Sequence, residues 1–245
     1  IYNPNTTWEI ARTPGGGQPL NGEVAFIGLW DTQLTEDQYM AVRRLLTTTL
    51  CTRFLPKVNV IFEGDSITAG SGNNETVAYK QILQTALWGP LASKRNVSWG
   101  GESLATMKGQ ATTQWLPYAM DNRYGIKTIL ILNGGINDVS GSTAAAMYAD
   151  VKELWARARQ NGFLVAAATI TPSVNFTAPM VTIKNDFNNL VRSDRTLYDY
   201  LLDYAAMTEF SDFNNSTYFW PDGVHIKDAG QAAMANKIFN TIPLP

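Results

Sequence analysis

The chain has one histidine, His225, and few residues placed to work with it. Ser66 stands between Asp65 and Ile67 in Phe62-Glu63-Gly64-Asp65-Ser66-Ile67-Thr68-Ala69-Gly70, directly after the apolar run Val58-Asn59-Val60-Ile61-Phe62. A serine hydroxyl is a weak nucleophile. It needs a base to take its proton, a group to orient that base, and donors for the oxyanion that forms on the substrate. If a serine–histidine pair operates here, the base must be His225. Asp222 precedes it in Pro221-Asp222-Gly223-Val224-His225, a loop punctuated by Pro and Gly. A tight turn there lets the Asp222 carboxylate reach the ring and fix its tautomer.

Oxyanion donors should come from comparable loops. Gly100-Gly101-Glu102-Ser103 follows a strand expected at 96–99, and a glycine N–H can approach a ligand closely. Gly134-Gly135-Ile136-Asn137-Asp138 follows a strand expected at 127–133, and the Asn137 amide is a further donor. Singly, each piece reads as a cap, a turn or a surface residue, and Asp65 as a residue that bonds loop amides. Their combination points to acyl-transfer chemistry.

The elements that would carry these residues alternate from Lys57 onward. Strands are expected at 58–63, 96–99, 127–133, 163–170 and 197–204. Helices are expected near 76–88, 103–115, 142–160 (capped by Ser142 and stopped by Asn161-Gly162), 179–193 (Pro179 at its start) and 228–240. This alternation predicts a parallel sheet with helices on both faces, whose ligands bind beyond the carboxyl ends of the strands. Ser66 lies at one such end.

The bulk numbers agree with a globular α/β protein. The chain has 245 residues, 45% hydrophobic and 16% charged, enough for one α/β domain with a small addition. The formal net charge is -2 without a Lys/Arg run, which speaks against nucleic acid as a partner. A single cysteine, Cys51, excludes an internal disulfide. The apolar runs are too short to cross a bilayer. Because the sequence begins at Ile1, the parent protein is expected to be longer.

Gly64-Asp65-Ser66-Ile67-Thr68, Gly101, Gly135-Ile136-Asn137-Asp138 and Asp222-Gly223-Val224-His225 resemble, in order, the four blocks of the SGNH (GDSL-type) hydrolase family. The resemblance covers about residues 56–242. It implies a three-layer α/β/α sandwich with a flavodoxin-like parallel sheet of about five strands. It implies Ser66 as nucleophile, His225 as general base and acid, and Asp222 as its orienter. The oxyanion hole would be the Ser66 N–H, the Gly101 N–H and the Asn137 side chain. Gly100 competes for the second place; Glu102-Ser103 after Gly101 matches the usual pattern. The implied reaction, acyl transfer to water, needs no metal or organic cofactor.

Residues 1–55 are expected to form an N-terminal extension, and 56–245 the hydrolase domain. Within the extension, Glu23–Trp30 reads as a strand and a capping box at Thr35 and Gln38 opens a helix to about Leu50. Val24–Asp31 with Leu34–Gln38 is similar to the closing strand and helix of laminin-G/concanavalin-like lectin domains. Polar and aromatic residues crowd the strand-end loops, among them Asn73, Asn175, Phe176 and Tyr218. Asp65, Trp99 and Trp220 are candidate substrate contacts, with core packing as the other reading of each tryptophan. Together these features favour a carbohydrate O-acetylesterase, secreted or carried on a virion, acting on acetylated carbohydrate or another small acyl ester. The alternatives are a general short-chain esterase or lysophospholipase-like enzyme, and a non-catalytic carbohydrate-binding module on the same fold.

Overall fold

A strand in the middle of a parallel sheet is covered on both faces, so its sequence loses the polar–apolar alternation of a half-exposed strand. Two segments behave this way. All of β1 (Val58–Gly64) is buried, and so is β3 (Lys127–Asn133) after Lys127. The computed structural model of the protein describes residues 58–72, 79, 92–119 and 126–243, all within one unit, Pro56–Pro245. The expected lectin-like extension and its strand and helix lie outside the described residues, as does the helix expected near 76–88, apart from a helical Tyr79.

The remaining strands are β2 (Ala92–Asn96), β4 (Leu164–Ala168) and β5 (Tyr200–Leu202). The sheet order is β2-β1-β3-β4-β5, and every pairing is parallel. Among the described residues the helices with full bounds are a single turn α1 (Ser66–Ala69), then α2 (Leu104–Gln114), α3 (Ala144–Gln160), α4 (Ala178–Ser193) and α5 (Asp228–Thr241). Helix α3 packs between α2 and α4, α5 packs near β5, and this unit is a three-layer α/β/α sandwich. The chain leaves β1 outward to β2 and returns on the other side of β1 to β3. That reversal opens a crevice at the carboxyl end of β1, the usual ligand position in such sheets. Among the described residues no helix is long and apolar enough to cross a membrane.

Aromatic rings fill the space between the layers. Phe62 meets Tyr79 edge-on with centroids 5.6 Å apart, Trp115 lies 5.7 Å from Phe163, and Trp155 lies 5.2 Å from Tyr198. Such pairs add about 0.5–1.5 kcal/mol each beyond the burial of their area. A buried Asn188 closes the end of β4. Its Oδ1 accepts the Ile170 N–H at 2.8 Å, and its Nδ2 donates to the Ile170 carbonyl at 2.9 Å, replacing a missing strand partner.

Several boundaries differ from the sequence expectation. The strand expected at 96–99 runs instead from Ala92 to Asn96. It is an edge strand that includes Lys94 and Arg95, so it lacks an apolar signature. The Val97 and Trp99 amides still donate to the Phe62 and Gly64 carbonyls. The cap of α3 is Thr143 rather than Ser142; its side chain accepts the Ala146 N–H at 3.2 Å. The strand expected at 163–170 is limited to 164–168. That expected at 197–204 shrinks to three residues, because the chain turns into two 3₁₀ segments, Tyr204–Ala206 and Thr208–Phe210.

Gly64 ends β1 where the backbone meets β3. A methyl group there would overlap the Asn133 carbonyl and the Thr68 hydroxyl. Gly64→Ala is therefore expected to destabilise the protein by about 3 kcal/mol, the upper range of overpacking costs. Chemical denaturation would measure this; an unchanged midpoint would show that the strand end yields.

Candidate active site

Ser66 opens α1, and Asp65 caps that turn. The Asp65 carboxylate accepts the Ile67 N–H at 3.0 Å. The turn ends at Gly70 with φ of 84°, a left-handed value that suits glycine, and both Gly70 and Ser71 donate to the Ser66 carbonyl. Two side chains hold the turn in place. Thr68 Oγ1 donates to the Asn133 carbonyl at the end of β3 (3.2 Å). Gln231, buried in α5, donates to the Ile67 carbonyl (3.3 Å) and accepts the Tyr79 N–H (3.1 Å).

The imidazole arrives on the loop before α5. Residues Phe219 and Ile226 form an antiparallel bridge at its base, and within it the Trp220 N–H donates to the His225 carbonyl at 2.9 Å. Asp222 Oδ1 accepts the N–H groups of Val224 and His225, each at 2.9 Å, and folds the turn. Its Oδ2 faces His225 Nδ1 at 2.8 Å. Gly223 has φ of +61° and packs so closely on Val174 that a side chain there would collide with it. The Val174 N–H also donates to the Gly223 carbonyl at 3.1 Å. His225 Nε2 is thereby placed 2.9 Å from Ser66 Oγ. With Nδ1 protonated toward Asp222, Nε2 is the acceptor that can take the hydroxyl proton.

The other strand ends close the ring. Asp138, after β3, accepts the Leu104 N–H on both carboxylate oxygens (3.1 and 3.3 Å) and so starts α2. Asn137 Nδ2 donates one hydrogen to the Glu102 carbonyl at 2.9 Å, which leaves its second N–H for another acceptor. The loops bearing Gly101 and Asn137 are thus tied to each other. Gly101 has φ of +80° with open space around it, and Gly100 lies against Ser66, a Cβ on it falling 3.9 Å from Ser66 Cβ.

Burial sorts the carboxyl groups. Desolvation works to raise Asp222, but the His225 ring and the two loop N–H groups outweigh it and hold this carboxyl below its usual value. Asp65 is pushed up to about 7 by burial, against the pull of the Ile67 N–H and of the His225 ring. Glu63 is pushed up to about 8 by burial and then by the charge of Glu102, partly offset by the Gly64 N–H. The second Glu63 oxygen is buried without a hydrogen-bond partner among the described residues.

Ser66, His225 and Asp222 stand in one line of hydrogen-bond distances, Gly100 lies against Ser66, and Gly101 and Asn137 sit on the loops that follow β2 and β3. Asp65 is buried and bonds the turn rather than facing a ligand. Trp99 is not core: it is 65% exposed. Trp220 is half-buried, with its indole nitrogen end against Gly72. The sequence reading passed over Thr68, Gln231 and Glu102. The signal for Gln231 was a polar residue on the buried stripe of an amphipathic helix; Thr68 and Glu102 gave none apart from the blocks around them.

The sequence model of the GDSL-like lipase/acylhydrolase family matches residues 62–233. No curated protein matches the chain. Among solved structures, the chain is similar to TesA, with 18% identity and a TM-score of 0.60 over 74% of this chain and 96% of that one. It is similar to the acetyl xylan esterase AlAXEase, with 19% identity and a TM-score of 0.58 over 75% and 98%. A mutant of Axe2, an acetyl-xylooligosaccharide esterase from Geobacillus Stearmophilus, shares 16% identity with a TM-score of 0.60 over 77% and 95%.

Glu63 gives a pH test of this burial. Its carboxyl titrates at 4.5 when exposed and at about 8 in the folded protein, so the native state keeps a proton that the unfolded chain releases. Stability from this group is then full below 4.5 and is lost as pH rises toward about 8. Glu63→Gln should melt close to wild type at the acid end and several degrees above it at the alkaline end. Parallel melting curves across the window would refute the assignment.

Proposed function

Because this chain belongs to the GDSL-like lipase/acylhydrolase family and is a carboxylic ester hydrolase, we propose that it removes acetyl groups from carbohydrate, as a polysaccharide O-acetylesterase. The observation that carries this reading is Trp99. It stands 65% exposed on the loop after β2, next to Gly100, which lies against Ser66. A large indole left open beside a nucleophile offers a flat apolar face, the complement of the C–H face of a sugar ring. The activities named for two of the fold relatives, the acetyl xylan esterase and the acetyl-xylooligosaccharide esterase, support the same reading.

In this reading Ser66 Oγ attacks the acetyl carbonyl carbon while His225 Nε2 takes its proton. The carbonyl oxygen becomes an oxyanion held by the N–H groups of Ser66 and Gly101 and the free hydrogen of Asn137 Nδ2. Asp222 keeps the imidazole oriented and stabilises its charged form. His225 then hands the proton to the departing sugar oxygen, which leaves as an alcohol. Water, deprotonated by the same ring, attacks the acyl-serine and releases acetate. Polymeric substrates of this kind lie outside cells, so the reading carries with it a secreted or virion-borne protein.

Acetate release from acetylated xylan and from a bacterial O-acetylated polysaccharide is expected with wild type and abolished in Ser66→Ala. Asn137→Ala should lower kcat by about 10²–10³-fold. Trp99→Ala should raise KM for the polymer while leaving p-nitrophenyl acetate turnover near wild type. Efficient cleavage of longer acyl esters with no acetate from either polymer would replace this reading with a general short-chain esterase.

A further inference from the structure

The loop that carries Asp222 and His225 has a second side. A cavity of about 230 Å³ is walled there by Trp220, Pro221 and Gly223 of this loop, and by none of Ser66, Asp222, His225, Gly101 or Asn137. Pockets for whole drug-sized molecules start at about 300 Å³, so this one suits a single ring. Its apolar wall includes Val174, 47% exposed at the surface, and Phe213, half-buried against the core. Its polar groups are Asn214, Ser216 and Lys227.

Lys227 is held in place. Its ammonium donates to the Ser216 carbonyl at 2.8 Å and stands 5.2 Å from the centre of the Trp220 ring. One of its three N–H bonds is used there, which leaves two fixed donors. The Asn214 backbone is fixed as well, donating to the Asp212 carboxylate at 2.8 Å. An acyl tail would gain nothing from an ammonium, an amide and a hydroxyl on one wall. A cation would meet Lys227, the one charged residue of the lining. A hydroxyl-bearing ring with an apolar face satisfies both walls.

We propose that this cavity is a carbohydrate subsite, holding a pyranose residue of the same glycan at a distance from the sugar being deacetylated. The proposal rests on the carbohydrate reading of the active site. It adds a second point of attachment: the glycan chain is gripped on both sides of the histidine loop. Val174 and Trp220, which line the cavity, are the residues whose backbone amides donate to Gly223 and His225, so an occupied subsite bears on the segment that carries the base.

The test compares short and long substrates. Acetylated disaccharides and hexasaccharides are prepared from whichever of the two polymers wild type deacetylates. Two variants alter the cavity: Ser216→Trp fills it from the rim, and Asn214→Ala with Lys227→Met removes its amide and ammonium donors. Melting curves confirm that each folds. Wild type should show a KM about tenfold lower for the hexasaccharide than for the disaccharide, equivalent to about 1.4 kcal/mol of added binding. Both variants should erase that advantage and leave kcat/KM for p-nitrophenyl acetate unchanged. A length advantage that survives in both variants overturns the subsite and leaves the acetylesterase standing. If neither polymer is deacetylated, the carbohydrate reading fails first. Calorimetric titration of unacetylated xylohexaose into Ser66→Ala then decides the cavity alone. Saturable binding lost on adding the Asn214→Ala and Lys227→Met changes would keep it, and the absence of binding would overturn it.

Discussion

One carboxylate holds the catalytic loop together. Asp222 uses Oδ1 to gather the amides of Val224 and His225 and Oδ2 to face the ring of His225. The turn that places the ring and the contact that orients it therefore come from the same side chain. The turn sets the direction of Nε2, and docking of the loop brings it 2.9 Å from Ser66 Oγ. Everything around the loop preserves that geometry: Gly223 fits against Val174 only for want of a side chain, and the Trp220 amide ties the loop back on the His225 carbonyl.

The acids near the site follow a division of labour set by solvation. Asp222, on an exposed loop and surrounded by donors, stays ionised with ease. Asp65 and Glu63 sit in the protein interior and are driven toward their neutral forms. Burying a charge is costly unless it is paired; no cation acts on Glu63, and the pull of the His225 ring on Asp65 is outweighed by burial. Their task is architectural: each accepts a backbone N–H at the junction of β1 and the serine turn. Negative charge is left where it steadies an imidazolium.

Much of this was readable from residues alone. β3 matched its expected limits, because an uninterrupted apolar run in a parallel sheet has sharp edges. Ser66, Asp222 and His225 could be chosen because the chain offers one histidine and one suitable aspartate before it. β2 was misplaced because an edge strand with Lys94 and Arg95 carries no burial pattern. Trp99 could not be assigned to core or surface, since a strand-end tryptophan has the same composition in either place; only the fold exposes it. Gln231 and Thr68 escaped notice because their partners are backbone carbonyls distant in sequence, and a backbone group leaves no mark in a one-letter code.

The stitching of α5 to the serine turn also governs the order in which the protein comes into being. Ser66 and His225 are 159 positions apart, and Gln231 reaches back 164 positions to Ile67 and 152 to Tyr79. Contacts of such separation close late, after the loop entropy between them has been overcome. On a ribosome the nucleophile emerges long before its base does. The nascent chain carries an ordinary alcohol, and reactivity is conferred in a single closing event when the last helix docks.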